Sequence, residues 1–270
     1  MNTTCFDLKK INTLTKYPSI PTYHQMADRG MLADVPLEIP EGPLYLSEKI
    51  DGTNARIIEF VNPDERDWPK ERAWLIGSRE ELLHAKGDLI PSNDQGIVEA
   101  LEATAESLSV LLKTHAPGIV VYYGEVYGSK IGAACKNYTQ KGSSGFRLFD
   151  VAAYSYEVFA KILEMPIEKI ASWREQNLQP WLPTKFISTA PGCPPIMRVP
   201  TWQIEAPDST MPKTPQATLK WLAQFPTDTK CALDGQPGMA EGYVLRNENR
   251  SFIAKLRFED YTRTLTKRLA

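Results

Sequence analysis

The run Gly118–Tyr127 reads GIVVYYGEVY and carries a single charged residue, Glu125. Apart from Gly118 and Gly124, aromatic and β-branched side chains fill the rest, so the run is a strand, and its apolar character makes it a central one. A sheet has to be assembled around it. The chain supplies the material in Pro43–Ser47, Asn54–Phe60, Ala73–Gly77, Phe146–Ala153, Glu241–Asn247 and Phe252–Leu256. Asp51-Gly52, between two of these stretches, reads as the turn of a hairpin-like strand pair. Within Asn93–His115, Ile97, Leu101, Ala105, Leu108, Leu111 and Leu112 recur at helical spacing, with Asn93 or Asp94 as cap. Further helices are expected across 156–177, interrupted at Pro166, across Pro215–Gln224, and across Glu259–Leu269. Residues 1–42 read as mostly irregular, and the Pro-rich stretch 180–215, with Trp181 and Trp202, shows no period. Many strands with helices outside them predict an α+β fold with largely antiparallel sheets.

A length of 270 residues suffices for one large domain or two modest ones. The 31 basic and 33 acidic residues leave a net charge of −2, which excludes a generally polybasic protein while permitting a local basic groove. Cys5, Cys135, Cys193 and Cys231 are scattered, so neither a zinc site nor a disulfide framework is expected. The N-terminus MNTTCFDLKK lacks the apolar core of a signal peptide, and no apolar run approaches the roughly 20 residues that span a bilayer. A cytoplasmic protein with no membrane partner is the expectation.

The chemistry concentrates at Ser47-Glu48-Lys49-Ile50-Asp51-Gly52-Thr53-Asn54. A lysine amine attacks only when deprotonated, and burial or neighbouring cations bring its pKa down from about 10.4. Lys255 and Arg257, on a β-run, are the candidate neighbours. Glu125 and Glu241 each stand alone in a β-prone run, where a carboxylate must be paired, hydrogen-bonded or metal-bound. Two such carboxylates suit ribose hydroxyls and a divalent cation. Arg79 ends a strand with a planar fork that suits phosphate. Phe146 and Phe149 offer rings that either stack on a base or fill the core.

In order, these stretches resemble the motif series of the covalent nucleotidyltransferase superfamily. Lys49-Ile50-Asp51-Gly52 resembles motif I, Ser78-Arg79 motif Ia, and Tyr123–Gly128 motif III. Phe146–Asp150 resembles motif IIIa, Glu241–Val244 motif IV, and Ala254–Arg257 motif V. Glu48 before the lysine and Asn54 after the glycine are similar to the Rnl2-like group of ATP-dependent RNA ligases. Arg257 departs from the Lys-x-Lys form of motif V; it keeps the charge but cannot supply a neutral amine.

The resemblance implies an α+β, ligase-type nucleotidyltransferase (ATP-grasp-like) domain, with two largely antiparallel sheets flanked by helices, across 43–270. It would carry an N-terminal extension at 1–42 and an elaborated 155–240 segment; the 13 residues after Arg257 lead to the expectation of no C-terminal OB domain, into which other members of the superfamily continue. The implied partners are ATP, Mg2+ or Mn2+, and RNA with 5′-phosphate and 3′-hydroxyl ends. Lys49 would be the nucleophile that carries AMP. Glu48 would read the adenine amine and Phe146 would stack on the base. Arg79 and Glu125 would meet the ribose, and Asn54 the phosphate region. Glu241 would hold the metal, while Lys255 and Arg257 gripped the α-phosphate. A DNA-joining ligase, a capping-type guanylyltransferase and a catalytically silent nucleotide- or RNA-binding relative are the competing readings.

Overall fold

A computed structural model describes residues 7–61, 73–85, 88–89, 96–108, 118–129, 131, 134–189, 197–204 and 211–269. In chain order the elements are α1 (Leu8–Thr15), β1 (His24–Met26), β2 (Leu32–Pro36), β3 (Leu44–Lys49), β4 (Thr53–Val61), β5 (Ala73–Ser78), β6 (Leu82–Ala85), β7 (Asp88–Leu89) and α2 (Ile97–Leu108). They continue with β8 (Gly118–Gly128), β9 (Ser144–Ser155), α3 (Tyr156–Glu164), α4 (Ile167–Glu175), α5 (Thr184–Thr189), β10 (Thr201–Ile204), α6 (Pro215–Leu222), β11 (Gly242–Asn247), β12 (Ile253–Arg257) and α7 (Phe258–Leu269).

The α+β expectation holds. A six-stranded sheet runs in the order β7-β6-β5-β4-β8-β9 and a four-stranded sheet in the order β10-β3-β11-β12. Every pairing in both is antiparallel. β8 is central, between β4 and β9, as its composition demands. Its period-2 alternation splits between two cores. Val120 and Tyr122 face a cluster with Ile97, Leu101 and Ile187 from α2 and α5. Ile119 and Val121 face Ile11, Leu14, Phe159, Ile162 and Ile170 from α1, α3 and α4. Burying each such side chain stabilises the fold by about 1.5–3 kcal/mol.

The four-stranded sheet alternates in the same way. Leu44, Leu46, Tyr243, Leu245, Ala254 and Leu256 pack beneath Leu222 of α6 and Tyr261 of α7. The intervening Ser47, Lys49, Val244, Arg246, Ile253 and Lys255 line a cleft on the opposite face.

Three expectations are corrected. β3 and β4 are not a hairpin: β3 pairs with β10 and β11, while β4 pairs with β5 and β8. Gly52 lacks the positive φ that tight hairpin turns use. Its missing Cβ instead lets the chain pass against β8, since a Cβ there would lie 2.3 Å from the Val126 carbonyl oxygen. Ile50–Gly52 is thus a crossing from one sheet to the other.

Residues 7–42 are not mostly irregular either. Asp7 caps α1 by accepting from the Lys9 and Lys10 amides, and Ile11 and Leu14 are fully buried. Arg56, also fully buried, donates to Thr15 Oγ1 at 3.1 Å, to Asn12, and to the Ser78 and Arg79 carbonyls. Burial lowers its pKa to about 10. Lastly, the Pro-rich stretch after 180 contains α5 and β10. β10 pairs residue by residue with β3, Thr201 opposite Ser47 and Ile204 opposite Leu44. The ends of the helix expected at Asn93–His115 lie outside the described residues. Among those residues no helix is long and apolar enough to cross a membrane.

Candidate active site

Where the two sheets meet, a cleft of about 420 Å³ opens between them. Register assembles its cationic end. Gly242 on β11 pairs with Lys49 on one side and with Arg257 on the other. Val244 is likewise flanked by Ser47 and Lys255. Strands β3 and β12, far apart in sequence and held on either side of β11, thereby present Lys49, Lys255 and Arg257 on one face of the sheet, with Lys49 and Lys255 lining the cleft and Arg257 just beyond them. Gly242 makes this possible, because its φ is +153° and a Cβ would lie 2.1 Å from the Leu256 carbonyl oxygen.

Lys49 Nζ donates to Glu241 Oε2. Arg257 Nη1 lies 3.6 Å from the other oxygen of that carboxylate. Arg257 is itself held by two hydrogen bonds of 2.9 Å to the buried Asp260, which keep its guanidinium charged well above the ordinary range. Burial pulls the Lys255 pKa down, and the charges of Arg257 and Lys49 add to the effect.

Glu125 and Asn54 face each other across the β4–β8 ladder. Burial pushes the Glu125 carboxyl up to about 8; Lys49 opposes the shift and Glu241 reinforces it. Asn54 Oδ1 is buried without a hydrogen-bond partner. A buried carbonyl oxygen left unpaired opposite a buried carboxylate is a costly arrangement. It is a fitting one around a hard divalent cation, which takes carboxylate and amide oxygens. Glu241, Glu125 and Asn54 therefore fit the group that the motifs imply. Among the described residues no group of three or more His, Cys, Asp or Glu is arranged to hold a metal ion by itself.

Glu48 also lines the cleft, but it is 3% exposed and its carboxylate accepts from Thr229 Oγ1 and, at 2.9 Å, from the Lys230 amide. Burial raises its pKa and these bonds counter the shift. Arg79 stands at the cleft rim with its side chain more than half exposed.

Phe146 is placed elsewhere than the sequence suggested. It packs against the core shared with α2, its ring lying over Gly124, where a Cβ would meet it at 2.1 Å. Phe149 lines the cleft instead. The cause is a bulge: Tyr123 pairs with Asp150 and Gly124 with Leu148, so Phe149 is left without an opposite residue. The bulge resets the alternation and turns both Phe149 and Asp150 toward the cleft.

Asp150, Tyr17 and Arg246 line the cleft as well, and the sequence assigned them no role there. Asp150 is fully buried and accepts from Arg246, from Arg250 Nε at 2.8 Å and from the Tyr17 hydroxyl at 2.6 Å. Arg250 in turn stacks over the Trp181 ring at 3.8 Å. The Phe149-Asp150 dipeptide was the available signal for this group; the register shift that gives it meaning is not visible in a single sequence.

Comparison with known families matches residues 42–257 to the family described as RNA ligase. Among solved structures the chain is similar to Naegleria gruberi RNA ligase with PPi, at a TM-score of 0.55 and 12% identity over 94% of this chain and 59% of that one. A variant of that enzyme with ATP and Mn gives a TM-score of 0.45 and 14% identity over 92% and 63% of the two chains. The first similarity is one of fold, and the present chain spans about 59% of the neighbour's length. No curated protein matches the chain.

Proposed function

The chain belongs to the RNA ligase family, and from that premise we propose that it is an ATP-dependent RNA ligase acting through a covalent lysyl–AMP at Lys49. The observation that carries this reading is the Lys49–Glu241 contact, with Lys255 and Arg257 alongside, at one end of a cleft of nucleotide size. The neutral amine of Lys49 attacks the α-phosphorus of ATP and sheds a proton as the P–N bond forms, the bond to the bridging oxygen breaks, and pyrophosphate leaves. An RNA 5′-phosphate then takes the AMP, and a 3′-hydroxyl displaces it to seal the strand.

Lys255 and Arg257 offset charge on the α-phosphate, and Arg257 is pre-oriented for this by Asp260. Phe149, rather than Phe146, takes the base against Val244, both of them lining the cleft. Glu48 retains lone pairs beyond those used by Thr229 and Lys230 and is available to the adenine amine. Arg79 and Glu125 face the ribose. Glu241, Glu125 and Asn54 would hold a divalent Mg2+ or Mn2+ ion, which would neutralise phosphate charge. The free thiols of Cys135 and Cys231 suit a reducing, cytoplasmic setting.

The test is transfer of label from α-labelled ATP to protein, followed by sealing of nicked RNA and DNA duplexes. Wild type forms the adduct with ATP in preference to GTP and only with a divalent cation, and seals RNA. Lys49→Ala forms none. A covalent AMP retained in Lys49→Ala overturns the reading.

A further inference from the structure

The segment Tyr17–Tyr23 precedes the region matched to the family, which begins at residue 42, yet it touches three parts of the candidate site. Tyr17, Pro18, Ser19 and Ile20 line the cleft. The Tyr17 hydroxyl donates to Asp150 at 2.6 Å. Arg79 Nη2 donates to Ser19 Oγ at 3.4 Å. Beyond Ile20 the chain runs along the outer edge of β12 and brackets one residue: the Lys255 amide donates to the Pro21 carbonyl at 2.8 Å, and the Tyr23 amide donates to the Lys255 carbonyl at 3.1 Å. Thr22 and Lys255 form the resulting parallel bridge. Upstream, buried Arg56 ties α1 to the same Ser78-Arg79 turn, so the segment is anchored at both ends.

We infer that Tyr17–Tyr23 is the wall of the nucleotide site that runs along the ribose and α-phosphate, with Ser19 in contact with the bound nucleotide and Pro21–Tyr23 positioning Lys255. The inference rests on the ligase reading for the identity of the nucleotide. The placement follows from the contacts: Phe149 and Val244 hold the base end of the cleft, while the segment touches Arg79 at one point and brackets Lys255 at another. Only the sugar and its 5′-phosphate lie between those two cations. Ser19 is exposed at the cleft surface, so changing it disturbs no buried packing.

The experiment uses the full chain carrying Ser19→Cys. Alkylation of residue 19 by N-ethylmaleimide is followed by peptide mass mapping, with Cys135 as internal control. Saturating ATP with Mg2+ slows alkylation at residue 19 by tenfold or more and leaves Cys135 unchanged. In a second variant, Ser19→Trp, the KM for ATP in adduct formation rises at least tenfold while the melting temperature stays within error. An unchanged alkylation rate with ATP present overturns the inference, as does a Ser19→Trp variant with wild-type KM. Failure of the wild-type protein to form a lysyl–AMP adduct counts against the ligase reading instead. Protection of residue 19 by ATP in the Ser19→Cys protein still reports the wall in that case.

Discussion

Asp150 is the acceptor at which the two sheets are joined, and removing its carboxylate has a calculable cost. It sits on β9 of the six-stranded sheet, while Arg246 sits on β11 of the four-stranded one. The side chains of Asp150, Arg246 and Arg250 are 1%, 6% and 2% exposed, so solvent screening is slight. Asp150→Ala leaves two buried guanidinium groups without their counter-ion, a change that costs about 3–5 kcal/mol. Unfolding entropy near 2.1 cal/mol/K per residue over a chain of this length makes 4 kcal/mol equivalent to a fall of about 7 °C in Tm. Asp150→Asn keeps an acceptor and loses about half as much.

Burial pulls the Asp150 pKa up, but Arg246 and Arg250 outweigh it and hold the carboxyl below its ordinary value of 3.8. A carboxylate with a depressed folded pKa stabilises above its unfolded pKa, and the contribution fades as pH falls through the folded one. The gap between wild type and Asp150→Asn is therefore full at pH 7 and shrinks below about pH 4. Thermal and urea unfolding at both pH values, with an Asp150/Arg250 double-mutant cycle, measure it. A loss under about 1 kcal/mol for Asp150→Ala, or a cycle coupling near zero, refutes the account.

Phe149→Ala raises the KM for ATP about tenfold, whereas Phe146→Ala leaves KM alone; both rings are half-buried against the core, so each loss costs about 3 kcal/mol of stability, and nucleotide titration of the folded proteins separates the two. Gly52→Ala drives a Cβ against the Val126 carbonyl, costs about 1–3 kcal/mol and displaces the Lys49 crossing. Adduct formation in a protein that still melts cooperatively should then fall a hundredfold or more. Arg56→Met strips donors from Asn12, Thr15, Ser78 and Arg79, costs about 3 kcal/mol, and speeds hydrogen exchange first in Leu8–Thr15.

Much of the fold could be read directly because local chemistry decides it. The composition of Gly118–Tyr127 makes a central strand wherever the chain places it. The spacing of Ile97, Leu101, Ala105 and Leu108 makes a helix with one buried face. Pro166 stands as N-cap of α4 and Pro215 opens α6, as their fixed φ favours. The irregular reading of residues 7–42 failed because α1 is short and β1 and β2 shorter still. Their stability comes from Arg56, Tyr261 and the rest of the core rather than from their own pattern.

By itself, the sequence determined the residue types of the site and the two-residue alternation that puts Ser47 and Lys49, or Lys255 and Arg257, on one face of a strand. Only the tertiary structure decided which faces meet. The crossing at Gly52 sends β3 and β4 to different sheets, the bulge at Phe149 exchanges one aromatic ring for another, and Tyr17–Tyr23 closes the cleft beside Lys255. The physical reason is the same in each case. Alternation is a property of a single strand, whereas pairing, bulges and edge contacts are settled by hydrogen bonds and close approaches between strands far apart in the chain.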